Sequence, residues 1–191
     1  MSNEQVVDIF KKQYEALAGH VHLATSNQQV VSVIEQIIND ADVERVACAA
    51  IQTDLQESIE EKLNSAIECI KTPFNRNDLP HLIDTAQIGI SGANFAIAEA
   101  GALVEISTND EVRLVSTLPR THICIIKSDQ ILMTLEEAAP RLRQAFSDHE
   151  QGCVATFISG PSRTGDIEMI LTLGVHGPEV SHVIILDEES T

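Results

Sequence analysis

The stretch VERVACAAIQTDLQESIEEKLNSAI, residues 43–67, decides the fold class. Its first eight residues form an apolar run short enough for a buried strand. Thr53 and Gln56 then stand at the spacing of a capping box. Leu55, Ile59, Leu63, Ala66 and Ile67 follow on one helical face. A strand, a short turn and a helix in that order make a βα unit, the building block of parallel sheets.

The pattern extends outward from this unit. Residues 5–18 carry Val6, Val7, Phe10, Tyr14 and Leu17 at helical spacing, and residues 28–39 repeat it with Val30, Val31, Ile34, Ile37 and Ile38. The first 40 residues are therefore expected to be helical. Pro73, Asn75, Asn77 and Pro80 mark residues 72–80 as a long loop or linker. Residues 86–90 are apolar and Gly-bounded, residues 123–126 and 154–158 read as short buried strands and residues 183–186 as a last strand, and residues 103–107 alternate like a strand. Residues 97–102, rich in Ala with one Glu, fit a helix packed on the sheet. Thr134 and Glu137 form a second capping box, opening a helix to about residue 146 that Pro140 should kink or restart. Residues 166–173 read as a helix between a loop at 159–165 and a turn at 174–178. The expected fold is α/β, a mostly parallel sheet with helices on both faces and extra N-terminal helices. Residues 1–191 form one domain, with residues 86–187 as the motif-bearing core. Ligands of such sheets bind at the carboxyl ends of strands.

Composition narrows the function. Twelve Lys and Arg face 29 Asp and Glu, a formal net charge of −17. That field repels nucleic acid and anionic lipid, because phosphate binding needs clustered cations. Cys48, Cys69, Cys124 and Cys153 are widely spaced in apolar runs without a CxxC, which disfavours a zinc or iron–sulfur site and fits reduced thiols. No metal or cofactor site is expected. No apolar signal core opens the sequence and no run approaches the roughly 20 apolar residues of a membrane span, so a cytoplasmic location is expected.

Three segments carry chemistry. Ser159-Gly160-Pro161-Ser162-Arg163-Thr164-Gly165-Asp166 leaves a strand and enters the expected helix. Its free backbone N–H groups, with Ser159, Gly160, Ser162, Arg163 and Thr164, would hold a small carboxylate or phosphate. It also fits a tight turn with Thr164 as N-cap and Arg163 in a structural ion pair. Gly174-Val175-His176-Gly177-Pro178 projects one His between glycines, suited to acid–base work near neutral pH. It equally fits a Gly-Pro turn with a surface His. Residues 92–102 surround Glu99 with small residues, leaving it partly desolvated unless it pairs with Arg113 or Arg120. Gly92, Asn94 and Arg113 complete the candidate anion-binding set. His20 and His22 read as surface residues. The chain has no Gly-x-Ser-x-Gly elbow, dinucleotide fingerprint or P-loop.

The ordered set Ile90–Gly101, Arg113–Pro119, Ile158–Arg163, Asp166–Glu168 and Gly174–Pro178 resembles the LUD domain of the lactate-utilisation protein C family. The resemblance implies a fold like the ribose-5-phosphate isomerase, glucosamine-phosphate deaminase and CoA-transferase group. It also implies a role in oxidising L-lactate to pyruvate beside iron–sulfur partner proteins, as the cluster-free member. Ala100 and Ala102 depart from the family, which usually has Thr or Ser there. In the leading reading Arg163 holds a substrate carboxylate, His176 is the acid–base group and Glu99 a second titratable group. The alternatives are a stand-alone enzyme on a phosphorylated sugar or CoA thioester, with Glu99 as nucleophile or base, and a non-catalytic assembly factor. A helix over residues 166–173 would hold the two late loops roughly 13 Å apart.

Overall fold

The computed structural model describes residues 2–41, 43–63, 67–165, 171–173 and 176–187, with only the backbone at 163–165 and 171–173. Strands β1 (His20–Ala24), β2 (Arg45–Ala49), β3 (Glu68–Lys71), β4 (Ile88–Gly92), β7 (Thr121–Lys127) and β12 (Val180–Leu186) form one six-stranded sheet in the order β1-β12-β7-β4-β2-β3. All its ladders are parallel. The central strands are near-continuous Val, Ile and Ala runs because a parallel sheet is buried on both faces.

Helices α2 (Asn27–Asn39) and α3 (Thr53–Lys62) cover one face, packing Val30, Ile34, Leu55 and Ile59 on Val46, Ile88, Ile123 and Ile184. The other face takes α1 (Asn3–Ala16), whose Phe10 and Tyr14 meet Cys124, Ile126, Val183 and Ile185. The one-turn α4 (His81–Asp84) and α5 (Glu111–Thr117) pack there too, against Ala47 and Ala49. The expected α/β architecture, with helices on both faces, is therefore present.

A second sheet was not expected. Strands β5 (Phe95–Ile97), β6 (Ala102–Ser107), β8 (Ile131–Leu132) and β9 (Val154–Ile158) run in the order β8-β5-β6-β9, with antiparallel β5–β6 and β6–β9 ladders. Helix α6 (Leu135–Asp148) covers its outer side through Ala138 and Leu142. A separate hairpin pairs β10 (Arg163–Gly165) with β11 (Leu171–Leu173).

Several local expectations are corrected. The N-terminal part is helix, strand, helix, since β1 lies between α1 and α2. Residues 97–102 are the end of β5, a turn and the start of β6, so pairing with β6 overrides their helical propensity. Strand β9 is half-exposed, with Val154 and Phe157 open to solvent, and lies at the edge of the second sheet. Residues 171–173 are strand, not helix; residues 166–170 lie outside the described residues. Thr53 begins α3 without capping it, because Gln52 is the N-cap and makes no side-chain bond. Thr134 does cap α6, accepting from the Glu137 N–H at 3.2 Å, and α6 runs unbroken through Pro140.

Candidate functional site

The β10–β11 hairpin sets the site's geometry. Arg163 pairs with Leu173 and Gly165 with Leu171, so the chain folds back and the two late loops lie side by side. The Ser162 N–H donates to the Pro178 carbonyl at 2.9 Å, and the His176 N–H donates to Ser162 Oγ at 3.4 Å. The two loops are therefore in direct contact, not separated by the roughly 13 Å that a helix over residues 166–173 would impose. His176 is exposed, while the side chains of Arg163 and Thr164 lie outside the described residues.

These loops cap the amino ends of β7 and β12. The Glu179 N–H donates to the Arg120 carbonyl at 2.8 Å, just before the two strands pair at Thr121 and Val180. The paired loops thus sit at the opposite edge from the carboxyl ends, where ligands were expected. Ser159 is exposed. Gly160 has φ +85° and presses on α1's end, since a Cβ there would lie 2.8 Å from the Leu17 carbonyl oxygen. Gly101, at φ +54°, presses on Gln13 and Tyr14 in the same way. Leu103 pairs with Ile158, so the turn before β6 and the loop after β9 leave the same end of the second sheet. Gly101 and Gly160 therefore both rest on the end of α1.

The remaining predicted residues lie elsewhere. Glu99 is exposed, which removes the desolvation argument, and its carboxylate accepts from the Leu135 N–H at 2.7 Å at the start of α6. It pairs with neither expected arginine: Arg113 pairs with Asp110, and Arg120 with Glu179 at 2.6 Å. Asn94 Oδ1 accepts from the Ile106 N–H at 2.7 Å. Gly92 ends β4 beside a cavity of about 140 Å³ at the carboxyl ends, lined in part by Ala50, Gln52, Ala93, Lys127 and Gln130. A Cβ at Gly92 would stand 2.3 Å from the Ala50 carbonyl oxygen. A wide cleft of about 800 Å³ between residues 107–111 and 151–154 contains none of the predicted residues.

Sequence reasoning missed a buried polar chain beneath the paired loops. Ser91 and Ser116 donate to the two carboxylate oxygens of Glu105, at 2.7 and 2.8 Å. Ser91 Oγ also lies 2.8 Å from His122 Nε2. All four residues are buried. His122 is the second residue of β7 and pairs with Ser181, whose hydroxyl lies 2.5 Å from the Tyr14 hydroxyl. Burial pushes the Glu105 carboxyl up despite its two hydroxyl donors. Burial pulls the His122 imidazole down to about 4, with a smaller push from His182. Tyr14 is also raised by burial, against its bond to Ser181. The signal in the sequence was a charge inside an alternating apolar run, Val104-Glu105-Ile106, and a His inside Thr121-His122-Ile123.

On the sheet's other face, His182 stacks on His20 at 4.8 Å and contacts His22, with Nε2 and Nδ1 3.1 Å apart. His22 is thus half-buried rather than a surface residue, and burial is the first cause of its lowered pKa. Among the described residues no group of three or more His, Cys, Asp or Glu is placed to hold a metal ion. No described helix is long and apolar enough to cross a membrane.

The family model for the LUD domain matches residues 7–186. The chain belongs to the LUD domain family. The lactate utilization protein C of Shouchella clausii is 37% identical to this LUD domain over 106 residues, 56% of the chain but 46% of that protein. Here the chain spans about half the length of the curated relative. That of Oceanobacillus iheyensis is 25% identical over 195 residues, covering 96% of this chain and 81% of the relative. The crystal structure of a DUF162 family protein from Deinococcus radiodurans superposes with a TM-score of 0.69 at 19% identity, covering 97% and 99% of the two chains. At that identity the likeness is one of LUD fold.

Proposed function

We propose that this chain is the cluster-free component of a lactate-utilisation system, oxidising L-lactate to pyruvate together with iron–sulfur partner proteins. The name carried by its relatives motivates the pathway. The observation that carries the site is the backbone contact between Ser162 and the His176–Pro178 segment. It puts an imidazole-bearing loop beside Ser162, with Arg163 as the next residue.

In this reading Arg163 holds the lactate carboxylate. A planar guanidinium fork suits a carboxylate better than a point charge does. His176 takes the hydroxyl proton, and the Cα–H bond breaks, its electron pair passing to the iron–sulfur partner and its proton to solvent, so that lactate loses two protons and two electrons in becoming pyruvate. Glu99, engaged at the start of α6, is better suited to holding the β5–β6 turn than to proton transfer.

Deletion of the gene is the direct test, in a strain without a paralogue. Growth on L-lactate should be lost, growth on pyruvate kept, and the plasmid-borne gene should restore the first. Normal growth on lactate would remove the role.

The cavity beside Gly92 favours a second reading, a stand-alone enzyme on a phosphorylated sugar or CoA thioester. It lies at the carboxyl ends of parallel strands, where α/β sheets bind ligands. Such a ligand would raise the melting temperature by mass action. A phosphosugar and thioester panel that leaves the melting temperature unmoved would eliminate that reading.

A further inference from the structure

Cys48 on β2 and Cys69 on β3 face each other across the parallel ladder at the sheet's edge. Their sulfurs are 3.8 Å apart. Both side chains emerge on the face that α2 and α3 cover, Cys48 within that core and Cys69 packed against it. Cys48 is fully buried and Cys69 half-buried. The pair therefore has one solvent-reachable sulfur and one sheltered sulfur.

The two thiols hold their protons unequally. The Cys48 S–H bond to Cys69 is the first cause of Cys69's lowered pKa and of Cys48's raised one. Lys71 pulls both down and Glu60 pushes both up, and these two are themselves joined at 2.7 Å. The half-buried sulfur is thus the better nucleophile, because the thiolate is the reactive form.

We propose that Cys48 and Cys69 form a redox-active dithiol, which hydrogen peroxide oxidises to a disulfide tying β2 to β3. The Cys69 thiolate attacks one peroxide oxygen, the O–O bond breaks and hydroxide leaves, giving a sulfenic acid. Cys48 sulfur then attacks the Cys69 sulfur. The S–S bond forms, the S–O bond breaks, and water leaves with the Cys48 proton. Two electrons pass from the sulfur pair to the peroxide, which ends as one hydroxide and one water.

Register decides what must move. Val46 pairs with Cys69 and Cys48 with Lys71, so the cysteines are diagonal neighbours. Diagonal Cα atoms stand about 7–8 Å apart, whereas a disulfide spans up to about 6.8 Å. Closure needs an approach of about an ångström. Strand β3 can supply it, having four residues and β2 as its partner at the sheet edge.

The test is peroxide treatment of the reduced full chain, followed by blocking of free thiols under denaturing conditions and peptide mapping. The expected product is a Cys48–Cys69 linked peptide lighter by two hydrogens, with Cys124 still blocked as a free thiol. In Cys48→Ser, dimedone should trap a sulfenic acid at Cys69 and the linked peptide should vanish. The wild-type map decides the matter even where a serine variant folds poorly. Both cysteines recovered as free thiols, Cys69 recovered as sulfinic acid without a link, or Cys69 joined to another cysteine would each overturn the proposal.

Discussion

The ring of His122 and the hydroxyl of Ser91 share a buried contact of 2.8 Å, and Nδ1 of the same ring has no partner. Donor counting fixes the rest. Ser91 has one proton and directs it to Glu105. With Glu105 ionised, His122 must therefore donate through Nε2–H, leaving the Nδ1 lone pair facing no donor. The ring is held neutral, because a second proton on Nδ1 would be buried with no acceptor to receive it.

This arrangement makes stability depend on pH. His122 titrates at about 4 in the fold, against its ordinary value of 6.5. A depressed pKa contributes stability that is present above 6.5 and lost as pH falls towards 4. The full loss is about 3 kcal/mol, at about 1.4 kcal/mol per pKa unit. His182, also lowered to about 4, acts in the same direction. Glu105 opposes both, since a raised carboxyl contributes stability at low pH that is lost as pH rises through its folded value. Comparing variants isolates the His122 part. Between pH 7 and 4.5, His122→Asn should lose less unfolding free energy in urea than wild type. Equal losses would mean that His122 is not held neutral.

Glu105 should tolerate an amide better than an apolar side chain. In Glu105→Gln the amide nitrogen can donate to Ser116, whose hydroxyl can turn its proton to the Arg113 carbonyl, 3.2 Å away. Glu105→Leu strips Ser91 of its acceptor in a buried site, a cost of about 1–3 kcal/mol. Denaturant midpoints should rank wild type and Gln above Leu. The reverse order would show that the buried carboxylate is a net burden, as buried charges can be.

Two glycines with like backbones should respond differently. Gly152 and Gly160 have φ of +90° and +85°, but a Cβ at 152 meets nothing within 4 Å, while one at 160 strikes the Leu17 carbonyl oxygen. Both alanine variants bear the left-handed backbone cost of about 1 kcal/mol. Gly160→Ala should lose a further 1–3 kcal/mol, roughly the scale of overpacking. Equal melting temperatures for the two variants would mean that the loop does not rest on α1 as described.

The central sheet was legible because strands buried on both faces must be apolar runs, as in Val46–Ala49 and Ile123–Ile126. Edge strands escape that rule. His20 and His22 alternate with Val21 and Leu23 in β1, and Glu68 and Lys71 bound β3, so neither reads as apolar. The turn at Ala98–Gly101 looked helical from its alanines, because propensity is local and the pairing of β5 with β6 that makes it a turn, from Phe95–Val104 to Ile97–Ala102, is not. The juxtaposition of Ser162 with His176 was hidden for the same reason: it depends on a hairpin whose far strand, Leu171–Leu173, resembles a helix turn in composition. The Glu105 chain, by contrast, left a readable mark, a carboxylate in the buried middle of an alternating strand.

His176 offers the sharpest test of the proposed site. Its side chain is exposed, and its backbone N–H rather than its ring binds Ser162. His176→Ala should therefore change stability within about 0.5 kcal/mol, as surface substitutions do. Ser162→Ala removes the acceptor for that N–H and should cost more, about 0.5–1.5 kcal/mol. If His176 moves the hydroxyl proton of lactate, its alanine variant should lose about 10²–10⁴-fold in turnover by the reconstituted system. A strain carrying it should then fail on L-lactate while growing on pyruvate. Ser162→Ala, which loosens the loop but leaves the imidazole, should retain more activity than His176→Ala. Full lactate growth with His176→Ala would assign the loop a structural role, whereas lost growth with an unchanged melting temperature would assign the imidazole to the chemistry.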